Sequence, residues 1–306
     1  MQITDTLLMI RPASFRANEE TASTNFFQST DKKQDPRSVQ QAALNEFDNM
    51  VELLRKNDIN VLVIDDTPTP IKPSAVFPNN WLNTSPEGII SVFPMYAPNR
   101  RAEKRDNILK MLAEKFVVKD LQDWSEFEVE GKFLEGTGSM VMDHENKVIY
   151  TCYSPRTDIS VLEKFANANK FRAIIFFAAD NNGHLVYHTN VMMTLGENFA
   201  ILCEEAIEEE WELIAVRQLL ESSGHEVIRI TKQQMHSFAG NMLQVKNSKG
   251  EKFLLMSQTA YDSLDEEQKE ELAARSLLLP IPIPVIEKTE GGSVRCMIAE
   301  IFLEKK

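Results

Sequence analysis

The chain has 306 residues, 43% of them hydrophobic, and a formal net charge of −13. That content buries a substantial core, while the acidic balance argues against a phosphate-binding surface and so against nucleic acid as a partner. No apolar run of about 18 residues is present to span a bilayer, and the start Met1-Gln2-Ile3-Thr4-Asp5 lacks a secretory pattern, so a cytoplasmic protein without a membrane partner is expected.

A strand-like run at 6–11 opens the chain and is followed by an irregular stretch, 12–37, rich in polar residues. Residues 39–56 then place Ala42, Leu44, Phe47, Met50, Val51 and Leu54 at three- and four-residue steps, which predicts an amphipathic helix. Similar patterns at 101–116, 158–169, 204–222 and 263–276 predict four more. A short apolar run follows each helix, at 59–64, 117–121, 173–177, 226–230 and 277–283, so helix then strand repeats five times. Paired strands are expected at 139–143 with 147–152, 188–194 with 198–203, and 241–246 with 252–256, joined by turns at Asn146, Gly196 and Gly250.

Residues 6–11 precede the first helix without a full module of their own. Pairing them with 296–303 closes a ring of five units and removes an exposed edge, giving one domain over 1–306. The irregular stretches 12–37 and 65–86 are long enough to cover the ring's mouth as lids.

Cys152, Cys203 and Cys296 form no CxxC pair, which excludes a disulfide framework and a thiolate zinc site and leaves a thiol free to react. Counting back from Cys296 finds Asn241, Asn190, Glu135 and Asn80 at intervals of 55, 51, 55 and 55 residues. A period of this regularity implies equivalent modules, each giving one residue to a shared centre.

Alone, a cysteine is more often a small buried hydrophobe. On the period, and after the Gly291-Gly292 pair, Cys296 is a candidate nucleophile acting as thiolate. His188, two residues before Asn190, is the candidate acid and base, on the expectation that both lie on one face of a strand. A metal pair with His184 is discounted, because four residues of strand span about 13 Å. Glu135, a carboxylate within an apolar ring, needs a donor-rich ligand and is assigned to substrate nitrogen. Asn80, Asn190 and Asn241 offer donor and acceptor together, which suits a neutral planar urea, whereas a guanidinium is better met by aspartate.

Phe77-x-x-Asn80, Leu134-Glu135-Gly136, His188-x-Asn190, Gly240-Asn241 and Gly291-Gly292-x-x-Arg295-Cys296-Met297 together resemble the amidine-modifying pentein superfamily. That superfamily holds arginine deiminases, dimethylarginine hydrolases and amidinotransferases. Phe77-Pro78-Asn79-Asn80-Trp81 and His188-Thr189-Asn190-Val191-Met192-Met193 place the resemblance nearest its citrulline-utilisation hydrolases.

The resemblance implies a five-bladed, pseudo-symmetric α/β propeller of ββαβ-type modules. It also implies Cys296 as nucleophile, His188 as general acid and base, and Glu135 on substrate nitrogens. Met95-x-x-Pro98-x-Arg100 and Ser154-Pro155-Arg156-Thr157 resemble segments whose arginines hold a substrate α-carboxylate, which makes Arg100 and Arg156 candidates.

The chain departs from the deiminase pattern in having Asn80 and Asn190 where aspartates are expected. The function expected is therefore hydrolysis of a small amino acid's ureido group, citrulline to ornithine, through an S-carbamoyl cysteine and without metal or organic cofactor. Guanidino hydrolysis and amidino transfer are the alternatives. A non-catalytic binding module is the alternative from another class, because the scaffold also serves a ribosome-associated initiation factor.

Overall fold

The structure, a computed structural model, describes residues 1–28 and 35–306. The stretch 12–37, expected as a lid, therefore falls in part, at 29–34, outside the described residues. Strand β1 (Thr6–Arg11) leads to helix α1 (Pro36–Lys56) and strand β2 (Asn60–Asp65), which lies parallel to β1 with Leu7 opposite Val61. Asp35 starts α1 by accepting from the Arg37 and Ser38 amides, Pro36 occupies the first turn, and Arg55 and Lys56 face the negative helix end. Its apolar stripe, Val39, Ala43, Phe47, Met50, Val51 and Leu54, is buried against β1, β2 and the chain's C-terminal part.

The same plan recurs. Strand β3 (Leu82–Thr84) turns back antiparallel into β4 (Ile89–Val92), and helix α2 (Asp106–Lys115) returns the chain so that β5 (Asp120–Asp123) lies parallel to β4. A one-turn helix α3 (Gly136–Ser139) precedes β6 (Val141–Asp143) and β7 (Val148–Cys152), and α4 (Ile159–Ala168) leads to β8 (Arg172–Phe176). Next come β9 (Met193–Leu195), β10 (Phe199–Leu202), α5 (Glu210–Ser222) and β11 (Glu226–Arg229). The short α6 (Lys232–His236) precedes β12 (Leu243–Lys246) and β13 (Lys252–Ser257), and helices α7 (Gln258–Ser263) and α8 (Glu266–Ala273) lead to β14 (Leu277–Ile281). After α9 (Pro284–Glu290), strand β15 (Ala299–Glu300) pairs antiparallel with β1, so the two ends of the chain share a sheet.

Five three-stranded sheets result, each with one antiparallel and one parallel pair, and this is the pentein architecture. Each sheet touches two others, through β15 with β3, α3 with β3, β6 with β9, β9 with β12, and β13 with the turn Val294–Met297. The sheets thus form a ring with their first strands innermost. No helix among the described residues is long and apolar enough to cross a membrane.

Several boundaries differ from those expected. The helix expected at 101–116 begins at Asp106, because Pro98–Glu103 is a 3-10 turn. That at 204–222 begins at Glu210, and that at 263–276 divides where Asp265 makes a capping box with Gln268. The strand expected at 117–121 pairs instead over Asp120–Asp123. The stretch 65–86, expected to be irregular, contains β3 and the 3-10 turn Pro78–Asn80. All three residues of β3 are buried, so it shows no alternation to be read. Helix α9 was not expected; its seven residues are too few for a helical period.

Phe47 is fully buried between α1 and the sheet it covers. Replacing it with alanine should cost about 3–5 kcal/mol of stability, read as a lowered denaturation midpoint with unchanged slope.

Candidate active site

The five periodic residues do not lie in strands. Asn80 ends the 3-10 turn Pro78–Asn80, Glu135 precedes α3, Asn190 is within the 3-10 turn Thr189–Val191, Asn241 follows α6, and Cys296 is within the turn Val294–Met297. Each turn stands immediately before the innermost strand of its sheet, so five equivalent turns meet on the ring's axis. The strand expected at 188–194 begins only at Met193, that at 241–246 at Leu243, and that at 139–143 at Val141. His188 has extended backbone, but the turn that follows it sends Asn190 elsewhere. Glycine makes the close approaches possible. A Cβ on Gly138 would sit 2.4 Å from the Asn80 amide nitrogen and 2.8 Å from His188 Nδ1.

Glu135 is fully buried and is the electrostatic centre of the site. Its Oε2 lies 2.8 Å from His188 Nε2 and 3.5 Å from Arg156 Nη1, and Oε1 accepts from the Tyr96 amide at 3.0 Å. Burial opposes its ionisation, but Arg156, His188 and Arg100 hold it well below the usual carboxylate range. Burial pushes His188 down to about 4 despite Glu135, so the ring is neutral. An ionised Oε2 accepts the Nε2 proton, which leaves Nδ1, on the Gly138 side, as the basic nitrogen.

Cys296 Sγ lies 3.3 Å from Asn241 Nδ2 and 3.7 Å from Asn190 Nδ2. Asn241 also donates to the Asn190 carbonyl at 2.8 Å, which fixes its amide with nitrogen toward the sulfur. Burial raises the thiol above its ordinary value, and the Ser293 backbone and Asn241 only partly offset this. The resting sulfur is thus a protonated thiol beside two amides.

A small cavity joins these groups, with Cys296, His188, Asn80, Arg100 and Arg156 among its walls. Thr21 and Asn25 also line it. They belong to a strap, residues 18–28, tied down by Asn25 Nδ2 donating to the Glu290 carbonyl and by Arg156 donating to Thr24 Oγ1 at 2.8 Å. The strap's Phe26 and Phe27 stack on His184 and His236. His184 turns to Asp180 while His188 turns to Glu135, so the two histidines serve different partners.

Four candidates sit otherwise than expected. Asn190, Asn241 and Glu135 are not among the cavity's walls: the two asparagines face the sulfur, and Glu135, expected on substrate nitrogen, is taken up by His188, Arg156 and the Tyr96 amide. Arg100 is committed to the protein: Nε and Nη2 donate to Glu103 at 2.9 Å each, and Nη1 donates to Asn80 Oδ1 at 2.8 Å. It lies 3.9 Å from Glu135 and so positions both residues. Sequence reasoning missed Ser74, Tyr187 and Glu290 in the wall, since none lies on the period. Glu290 alone carried a signal, being an acid directly before the glycine pair.

Five small ββαβ sheets around a buried cysteine, histidine and glutamate define a pentein of the amidine-modifying, hydrolytic class. The profile of N,N dimethylarginine dimethylhydrolase, eukaryotic, matches residues 11–303, and the chain belongs to that family. No match is found among curated protein sequences. Similar solved structures include the N-terminal domain of cyanobacterial ArgZ, an arginine dihydrolase, bound to substrate. It is 14% identical, with a TM-score of 0.73 and 98% of each chain covered. Full-length ArgZ is matched over 40% of its length. A dimethylarginine dimethylaminohydrolase adduct with S-methyl-L-thiocitrulline is 12% identical with a TM-score of 0.66, covering 98% of this chain and 100% of that one.

Gly138→Ala should leave the fold intact by circular dichroism but displace His188 and Asn80, lowering kcat by about a hundredfold. The histidine also has a signature in stability. Its folded pKa, about 4, lies below the ordinary 6.5, so the unfolded chain binds the proton more readily. The stability it contributes is complete above pH 6.5 and is lost as pH falls toward 4. His144 shifts in the same sense. The share due to His188 is therefore the part of the decline between pH 7 and 5 that His188→Gln removes in urea unfolding.

Proposed function

We propose that the chain hydrolyses the guanidino group of an arginine-type amino acid through a covalent adduct on Cys296. One observation favours a cation over the neutral ureido group expected from the asparagines. Burial raises the Cys296 thiol beside neutral amides and a neutral His188, an effect that the Ser293 backbone, Asn241 and the Arg295 charge only partly offset, so a guanidinium entering beside the sulfur favours its ionisation where a neutral ureido group does not. The family and the similar structures, named for arginine and dimethylarginine, support the same class.

In this reading the Cys296 proton passes to His188 as the guanidinium binds, and the thiolate attacks the guanidino carbon. The imidazolium gives that proton to the departing amine, and the neutral ring then takes a proton from water, which adds to the adduct, and returns it to the thiolate that is expelled. Glu135 keeps the imidazole oriented and compensates the imidazolium each time it forms. Arg156 receives the substrate's α-carboxylate, and Asn190 holds substrate nitrogen beside the sulfur. The product is a ureido amino acid.

A second reading rests on Asn80. Its Oδ1 is occupied by Arg100, and its buried Nδ2 has no partner among the described residues, leaving a donor rather than an acceptor. A donor suits a ureido oxygen, so the ureido product is itself a substrate for a further round that releases ornithine and carbamate.

Incubating the purified chain with L-arginine, dimethylated arginines and L-citrulline, with products identified by mass, separates the two. Turnover of a guanidino substrate is expected, and turnover of citrulline alone overturns the first reading. Cys296→Ala should lose all measurable hydrolysis of every substrate while keeping its unfolding midpoint within a few degrees.

A further inference from the structure

Glu290 is a buried acid in the cavity wall that the proposed chemistry leaves without a role. It ends helix α9, is 3% exposed, and accepts from the Ser74 hydroxyl at 2.6 Å through Oε2. Its other oxygen, Oε1, is buried with no partner among the described residues. A buried carboxyl half satisfied in this way is costly, and a native structure that keeps one in a binding cavity invites a ligand explanation. Burial raises its pKa to about 8, against the opposing effects of the Ser74 hydroxyl, Arg100 and the Asn18 backbone, while Glu103 repels its ionised form.

Its place in the cavity says which part of a ligand it meets. Cys296 is flanked by Asn190 and Asn241, which mark the end where bonds are broken. Glu290 stands with the strap: its own carbonyl accepts from Asn25, and Ser74 accepts from Asn18 at 2.9 Å. Arg156 is tied to the same strap through Thr24 and the Thr21 carbonyl. One buried cation and one buried acid with a free oxygen thus lie beneath a single strap in one cavity. That pair complements the carboxylate and ammonium of an α-amino acid.

We propose that Glu290 is a specificity-determining residue that receives the substrate's α-ammonium group, so that the site selects free α-amino acids over desamino analogues. The inference rests on the amino-acid reading above but not on whether the reacting group is guanidino or ureido. On binding, the ammonium donates to Oε1 while Ser74 remains on Oε2, and the carboxyl, neutral in the free protein near pH 7, releases its proton. Selection follows because a ligand without the amine leaves Oε1 unpaired.

The test is calorimetric, on the Cys296→Ala protein so that nothing is turned over. The ligands are L-arginine with 5-guanidinopentanoate, and L-citrulline with 5-ureidopentanoate. For at least one pair the amino acid should bind tenfold or more tightly than its desamino partner. Glu290→Gln in the same background should remove that preference while the desamino analogue binds as before, which also reports an intact fold. A preference that survives Glu290→Gln, or the absence of any preference in the parent, overturns the proposal.

A second measurement needs no Glu290 variant. At pH 7, in buffers of differing ionisation enthalpy, the amino acid should release more protons than its desamino analogue; equal release counts against Glu290. The guanidino reading fails separately, if only the ureido pair binds.

Discussion

A carboxylate with no access to water persists only where donors converge on it, and in this ring everything near the axis is arranged around Glu135. Its partners come from different modules: Tyr96 and Arg100 follow β4, Arg156 follows β7, and His188 precedes β9. No single module satisfies it. The charge is tolerable only when the sheets are assembled, so formation of the site and closure of the ring are one event. Closure in turn depends on β1 lying between β15 and β2, which joins residues from both ends of the chain.

The same constraint sets the chemistry available. Arg156 and Arg100 keep Glu135 ionised, the ionised Glu135 fixes which imidazole nitrogen carries the proton, and burial keeps the ring neutral. A neutral ring beside a protonated thiol is a resting state without a preformed ion pair. On the proposed chemistry, reactivity then depends on the charge of what enters, and selection begins before any direct contact with the sulfur.

How much of this could be read from sequence follows from where the signals lie. The five-fold period located Asn80, Glu135, Asn190, Asn241 and Cys296, because each module spends similar numbers of residues on its helix and strands before reaching the axis. The long amphipathic helix α1 was legible from its stripe. The hairpin of β3 and β4 was not, since a three-residue strand buried throughout has no alternation. Nor could the period tell turn from strand. Asn80, Asn190 and Cys296 sit in 3-10 turns, and Gly138 brings Asn80 against His188, a packing requirement between distant modules that no local pattern records. Arg100 shows the same limit. Its segment was recognisable, but its commitment to Glu103 depends on a 3-10 turn that places residues three apart on one side.

Nearly every group in the cavity wall is buried in the structure, and the roof is made by Thr21 and Asn25 from the strap. The strap is seated there by the bonds from Asn25 to the Glu290 carbonyl and from Arg156 to Thr24. The strap is held by residues that also border the cavity's charged end. A ligand that binds Arg156 and Glu290 therefore acts on the anchors themselves: it reorders the side chains to which the strap returns. Strap closure and recognition of the ligand's charged end are then thermodynamically linked, each favouring the other by the same free energy. On the proposed chemistry, a ligand and a seated strap together would keep water from the sulfur during the first attack and admit it after the amine has left.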